Sequence, residues 1–450
     1  MSLFGTNGVR GTINQLGPQL AFELAAAFAS WCKKGPILLS RDMRLTSPML
    51  HCAAAAGIMA AGKEALDLGL CSSPVSEYTL RHEKAGGLII VTASHNPPEW
   101  NALKFIDSRG VAVSKERGQE IENLLGKNKL AEWNKVGRIK EYPFALQTHI
   151  QQILKQVDVE KIRKRKLRLV LDFGNGTATL SSRLFELLGC EIISLNDKLD
   201  GHFPGRPSEP SQQNVSQMLA AVKKASADLG VAWDGDADRV IFADEKGNWI
   251  VGDKSFALCA AFACRKAKQK EKLVVTTVAT SKVVEEVCGN LGAKTVYTKV
   301  GAPYLSQKVL ELGSTAVSAG EEVGGIIWPS FSLAKDGILS AAKMCELVLE
   351  QPLSQHIAQL PTYFNSKSKI EVEPEKKQLA LDAAKAHAQK SKAKLVLVDG
   401  VRADFEDSWV IVRASGTENV VRVFAESKTQ KHADELNKEY CEVIQQALNQ

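Results

Sequence analysis

Short, almost uninterrupted apolar runs, separated by helical periods, constrain the fold of this chain more than any other feature. Residues 37–40, 87–91, 169–173 and 272–276 each carry such a run. A strand that is apolar on both faces must be covered on both, as in a sheet held between helix layers. The intervening stretches supply the helices. Residues 48–65 are alanine-rich. Residues 214–228 place Val215, Met218, Leu219 and Val222 on one face, with Gly230 just beyond the end. A further helix is predicted near 281–290. The expected fold is α/β, with three consecutive similar α/β domains. The last ~85 residues differ. Short strands at 394–398, 409–412 and 420–424 lie close together, and Leu436, Tyr440, Ile444 and Leu448 form a helical stripe. These predict a smaller C-terminal α+β domain with an antiparallel sheet. A chain of 450 residues exceeds one ordinary core. Linkers are expected at 134–143, 245–251 and 361–374, which gives domains 1–142, 143–247, 248–362 and 363–450.

The strongest chemical signal is Asp234-Gly235-Asp236-Ala237-Asp238-Arg239. Three converging carboxylates repel one another unless a cation holds them, and hard oxygen donors suit Mg²⁺ or Ca²⁺. Apolar segments on both sides put the loop at a strand end, where a divalent cation can handle phosphate. Asp-x-Asp-x-Asp with Glu245 at the twelfth position also imitates an EF-hand calcium loop. That reading needs glycine where Arg239 stands, and a helix where a strand is expected. A solvated acidic turn is the plainer alternative.

Three more segments carry chemistry. Thr92-Ala93-Ser94-His95-Asn96-Pro97-Pro98 follows a predicted strand, and Ser94 is placed there as a nucleophile or phosphate carrier. His95 and Lys104 can move protons or balance charge, and Asn96 and Asn101 can bond phosphate oxygens. Without these neighbours the segment is an ordinary Ser/Asn/Pro turn. It lacks the Gly-x-Ser-x-Gly frame of a hydrolase elbow. Arg413-Ala414-Ser415-Gly416-Thr417-Glu418-Asn419 joins two predicted strands. Two hydroxyls, a glycine N–H and a guanidinium make a phosphate cup, to which Arg422 can add a second cation. No P-loop sequence occurs, which disfavours an ordinary ATPase. Gly320-Glu321-Glu322-Val323-Gly324-Gly325 follows another strand, and Glu321 can accept bonds from sugar hydroxyls or sit in a charged surface turn. The glycine-rich start Phe4-Gly5-Thr6-Asn7-Gly8-Val9-Arg10-Gly11 can cradle an anion.

Composition narrows the function classes. Hydrophobic content of 44% and charged content of 24% describe a globular chain, not a disordered one. The net charge of +6 suits small anionic substrates. The basic run at 161–168 reads as a solvated strand edge rather than a nucleic-acid patch, so no nucleic-acid partner is expected. Nine scattered cysteines without a Cys-x-x-Cys pair argue against disulfides or zinc and for a cytoplasmic location. There is no signal-peptide pattern and no run of ~20 apolar residues, so no membrane association is expected.

Four of these segments, in this order, resemble the α-D-phosphohexomutase family, and the resemblance spans essentially the whole chain. Thr92–Pro97 looks like the phosphoserine loop, Asp234–Arg239 the metal loop, Gly320–Glu322 the sugar-reading loop and Arg413–Glu418 the phosphate loop. Arg41-Asp42-Met43-Arg44 and Lys299-Val300-Gly301 also fit family segments. The start of the chain is most similar to phosphoglucosamine mutases and archaeal-type phosphomannomutases. The resemblance implies four domains in a heart-shaped arrangement around one cleft. It implies one Mg²⁺ held by Asp234, Asp236, Asp238 and a phosphate oxygen on Ser94. It further implies catalytic or charge-stabilising roles for Ser94, His95, Lys104, Arg10 and Arg239. Glu321, Lys299 and Asn101 would bind the sugar, and Arg413, Ser415, Gly416, Thr417 and Arg422 its other phosphate. The implied activity is the interconversion of hexosamine 6-phosphate and 1-phosphate through a sugar bisphosphate, by a monomer or homodimer. Phosphomannomutase or phosphoglucomutase activity is the alternative, as is a non-catalytic sugar-phosphate or Ca²⁺-binding protein on the same scaffold. The chain departs from the family at Val323, Ala102, Ala414, Asn419 and Ala302-Pro303. None of these is a proposed metal ligand or the nucleophile.

Overall fold

The computed structural model describes residues 3–5, 7–127, 130–415 and 418–449. They form four sheets flanked by helices. The first contains Val9–Thr12, Trp100–Asp107, Gly87–Val91, Ile37–Arg41, Ala65–Leu70 and Ile139–Glu141, in that spatial order. The second runs Trp249–Ile250, Val240–Ala243, Leu229–Trp233, Arg168–Asp172, Glu191–Leu195. The third runs Ile326–Ile327, Ala316–Gly320, Lys272–Thr277, Ala293–Thr298. The fourth is wholly antiparallel, in the order Phe364–Glu371, Val420–Ser427, Ser408–Ala414, Val401–Asp404, Lys394–Val396.

The first three sheets repeat one plan. A parallel strand is buried along its whole length: Gly87–Val91, Leu229–Trp233 or Ala316–Gly320. Beyond its C-terminal end the chain turns and returns as an antiparallel neighbour, Trp100–Asp107, Val240–Ala243 or Ile326–Ile327. The three turns are the serine loop, the aspartate loop and the Glu321 loop. The chemistry therefore occupies the same topological position three times, at strand ends where backbone groups are not consumed by the sheet.

One apolar core runs through the second and third units, joining Leu171, Val231 and Trp233 to Phe256, Val274 and Ile338. The first unit has its own core around Leu24, Phe28, Ile89 and Phe105. The aspartate and Glu321 loops thus share a rigid foundation, and the serine loop meets them from a separate one.

Three expectations need correction. The alanine-rich helix ends at Ala60, and residues 65–70 form a strand, because Ala-Leu-Asp-Leu-Gly-Leu alternates. The supposed linkers hold the edge strands Ile139–Glu141, Trp249–Ile250 and Phe364–Glu371. The C-terminal sheet accordingly begins at Phe364. No helix of the described residues is long and apolar enough to cross a membrane.

Candidate active site

The aspartate loop is the turn of a tight hairpin in which Trp233 pairs with Val240. Ala237 adopts φ 64°, a left-handed conformation that curls the chain between two carboxylates. One oxygen from each of Asp234, Asp236 and Asp238 lies within 4.8 Å of the others, and all three residues are buried. Asp236 Oδ1 is buried without a hydrogen-bond partner among the described residues. Burial, and then the charges of Asp236 and Asp238, push the Asp234 carboxyl well above its ordinary pKa. A hard cation relieves both the repulsion and the orphaned oxygen, so the donor set fits a metal such as Mg²⁺.

Ser94 joins this cluster from the first unit. Its hydroxyl donates to Asp234 Oδ2 at 2.6 Å, and its backbone is left-handed at φ 51°. Strained conformations of this kind gather at functional sites. His95 Nδ1 is 3.3 Å from the Ser94 hydroxyl. Burial, Arg239 and Arg10 together press the imidazole below its usual pKa, so it is neutral near pH 7. Lys104 approaches Asp236 at 2.5 Å and Asp238 at 3.4 Å. Burial opposes the Lys104 charge, but those two carboxylates outweigh it and raise its pKa. Arg10 donates to Asn96 Oδ1 at 2.7 Å. Arg239 pairs with Glu209 at 2.7 Å, and its N–H donates to Asp234.

The Glu321 loop is stitched to the aspartate loop by a backbone bridge between Arg239 and Gly325, and by Val240 N–H donating to Gly324. Lys335 links their side chains, 3.0 Å from Glu321 and 3.4 Å from Asp238. Asn101 is buried with its amide turned to Thr46 and Ser47 at 2.9 Å each, which makes it a brace for the helix Ser47–Ala60. Lys299 is exposed, its ammonium 5.4 Å from the Tyr304 ring. In the phosphate cup, Arg413 donates to Asp399 at 2.6 Å, and Arg422 pairs with Glu418 at 2.6 Å. Ser415 Oγ accepts from Glu418 N–H. Gly416 and Thr417 lie outside the described residues. Among the described residues the cup is bonded to Asp399, Glu418 and Lys377. Asp399 also accepts from Val300 N–H, tying the cup to the Lys299–Gly301 segment.

Several residues at the site carried no motif of their own. Lys335 is one. Ser73 donates to Asp236 at 2.6 Å. Ser208 donates to the Ser94 carbonyl and accepts from Gly235 N–H. Glu77, half-buried beside this cluster, has its pKa pushed up to about 8, chiefly by burial. Their signal is spatial, since each reaches the site from a distant part of the chain.

A Cβ on Gly235 would lie 2.7 Å from both Ser94 O and Ser208 Oγ, so the two loops can approach only if residue 235 is glycine. Gly235→Ala is expected to force them apart and to lower kcat at least about tenfold, while the melting midpoint moves by only a few degrees. Steady-state kinetics beside a thermal melt would check this.

The comparisons with known proteins bear on the family and the fold. Models of the phosphoglucomutase/phosphomannomutase α/β/α domains I, II and III match residues 1–132, 147–247 and 251–364. The model of the C-terminal domain matches 369–443. A phosphoglucomutase/phosphomannomutase of Thermococcus kodakarensis is 37% identical over 99% of each chain. A phosphoglucosamine mutase of Methanocaldococcus jannaschii is 34% identical, again over 99% of each. A crystal structure of a phosphoglucomutase/phosphomannomutase family protein from Burkholderia thailandensis superposes with a TM-score of 0.89. It has 25% identity and covers 99% of this chain and 97% of that one. With all four domain models matched in order, and relatives aligned over nearly the full length, the chain belongs to the phosphoglucomutase/phosphomannomutase family and is a phosphohexomutase.

Proposed function

We propose that this phosphohexomutase interconverts the 6-phosphate and 1-phosphate of a hexosamine through a phosphorylated Ser94 and a sugar bisphosphate. The observation that carries the reading is the Ser94 hydroxyl at 2.6 Å from Asp234 within the buried acidic triad. When held by Asp234, Asp236 and Asp238, a divalent cation supplies neutralisation of the charge on a phosphoryl group in transfer.

The remaining work falls to the chain. A free sugar hydroxyl attacks the phosphorus on Ser94. The Ser94 Oγ–P bond breaks, the sugar O–P bond forms, and the hydroxyl proton ends on Ser94 Oγ. His95, neutral and 3.3 Å from that oxygen, is the proposed proton carrier. Lys104 pairs with Asp236 and Asp238 and holds them in place. Arg10 and Arg239 hold positive charge at the edge of the site. After the sugar turns over, the same steps in reverse return its other phosphate to Ser94. Arg413, Ser415, Gly416, Thr417 and Arg422 hold the phosphate that is not reacting, and Glu321 and Lys299 orient the sugar. Asn101 braces the helix Ser47–Ala60 rather than touching substrate. The hexosamine preference follows the glycine-rich start of the chain and the name of the relative from Methanocaldococcus jannaschii.

Two measurements test this. Peptide mapping after incubation with a sugar bisphosphate should find one phosphate, on Ser94. Its absence would overturn the covalent route. Side-by-side assays of glucosamine, mannose and glucose 1-phosphates should give glucosamine the highest kcat/KM by about tenfold or more. Equal turnover of all three would overturn the substrate assignment.

A further inference from the structure

A cavity of about 710 Å³ opens on the third unit, away from the cluster around Ser94. It lies beside Ala316 and Val317, at the N-terminal end of the strand whose other end carries the Glu321 loop. By strand rise those ends are ~13 Å apart. None of Ser94, the three aspartates or Glu321 lines it.

Its charge is one-sided. Arg81, Lys266, Lys268 and Lys343 line it, and no carboxylate does. Arg81 and Lys268 have no ion-pair partner among the described residues. Lys266 and Lys343 share one carboxylate, Glu346, at 3.5 and 4.0 Å. The helices Gly252–Lys266 and Ala302–Leu312 end at the rim. Each contributes roughly half a negative charge there. Against four cations, these groups leave roughly two positive charges uncompensated.

The walls are apolar and partly aromatic. Phe262, Trp328, Leu310 and Leu333 contribute to them. The Lys343 ammonium stands between two rings, 5.7 Å from Phe262 and 5.7 Å from Trp328, and donates to the Gln156 carbonyl. Burial lowers the pKa of Lys343, as expected of a cation whose surroundings under-compensate it. Cavities of about 300–1,000 Å³ with apolar walls and a few convergent polar groups are typical of small-molecule sites.

We infer that this cavity is a second binding site, for a phosphorylated organic anion of nucleotide size. Its phosphates would meet Lys343, Lys266, Lys268 and Arg81, and its apolar body the half-buried Ala263, Ala267, Leu310 and Pro329. A doubly charged phosphate matches the uncompensated charge.

The test uses the whole enzyme with trinitrophenyl-ADP as fluorescent probe, in the presence of saturating glucose 1,6-bisphosphate to fill the catalytic centre. Binding should persist under that load. Lys343→Met should weaken it at least about tenfold and Lys268→Ala severalfold, with kcat and melting midpoint as in the wild type. Unlabelled ADP should displace the probe far better than inorganic pyrophosphate does. Loss of binding on adding the bisphosphate would overturn the inference, as would probe affinity unchanged in both variants. Pyrophosphate competing as well as ADP would refute the role of the apolar wall. Lys268 is exposed, so its variant remains informative if Lys343→Met fails to fold.

Discussion

Ser94→Ala is expected to give a folded protein whose mutase activity is lower by on the order of 10⁴-fold or more. What holds residue 94 in place is separate from what its hydroxyl does. The carbonyl of Ser94 accepts from Arg44 at 2.8 Å and from Ser208 at 2.9 Å, and its N–H donates to Thr92. None of these bonds uses the side chain. Alanine meets the same left-handed strain that serine already bears at φ 51°, so the loop keeps its shape. The hydroxyl's own contacts are with Asp234 and His95. Removing it deletes the atom that would carry the phosphoryl group and little else. The melting midpoint should move by no more than a few degrees, whereas incubation with a sugar bisphosphate should no longer place phosphate on the protein. A stable Ser94→Ala variant that still isomerises sugar phosphates at a useful rate would end the covalent account.

The aspartate loop was readable in the chain because its chemistry is local: alternating carboxylates announce a cation wherever the fold puts them. The buried strands before each reacting loop were readable for a similar reason, since continuous apolar runs need no partner to be noticed. Edge strands lack that signal. Ile139–Glu141 is exposed at every position, and Phe364–Glu371 alternates serine with lysine and has Phe364 and Ile370 as its only apolar residues. Pairing with Ala65–Leu70 and Val420–Ser427 decides their conformation, and composition does not. Lys335, Ser73 and Ser208 were hidden differently. Each is an ordinary residue until another unit arrives; Ser73 and Asp236 are 163 positions apart. The equivalence of the three reacting loops was also invisible, because it lies in sheet order and not in sequence.

The seam between the two foundations depends on Arg44, and Arg44→Leu is the substitution with the largest expected structural cost. This arginine is fully buried, as is its partner Asp42 at 3.1 Å. Its guanidinium donates to the carbonyls of Ser94, Asn96, Pro97 and Trp100, at 2.6 to 3.0 Å. It also lies 4.9 Å from the Phe203 ring, which comes from the second unit. One side chain therefore satisfies the inner carbonyls of the serine loop. Leucine has similar bulk near the backbone but no donor. It would strip a donor from each of those carbonyls, of which Ser94 keeps Ser208 and Pro97 keeps the Trp100 N–H, and would leave Asp42 without its counter-charge. Breaking a buried ion pair from one side costs about 3–5 kcal/mol, a large share of the ~5–15 kcal/mol that holds a typical domain. Arg44→Lys should fall between, because an ammonium keeps the charge but cannot fork across four acceptors. Arg44 acts through the loop and not on substrate, so its two losses should part company under mild conditions. At low temperature, where Arg44→Leu remains folded, KM should change little, while kcat and the rate of Ser94 phosphorylation fall together. Denaturant titration of wild type, Arg44→Lys and Arg44→Leu, each paired with that rate, would show the gradation. Equal midpoints across the three proteins would mean that the serine loop holds its shape without this template.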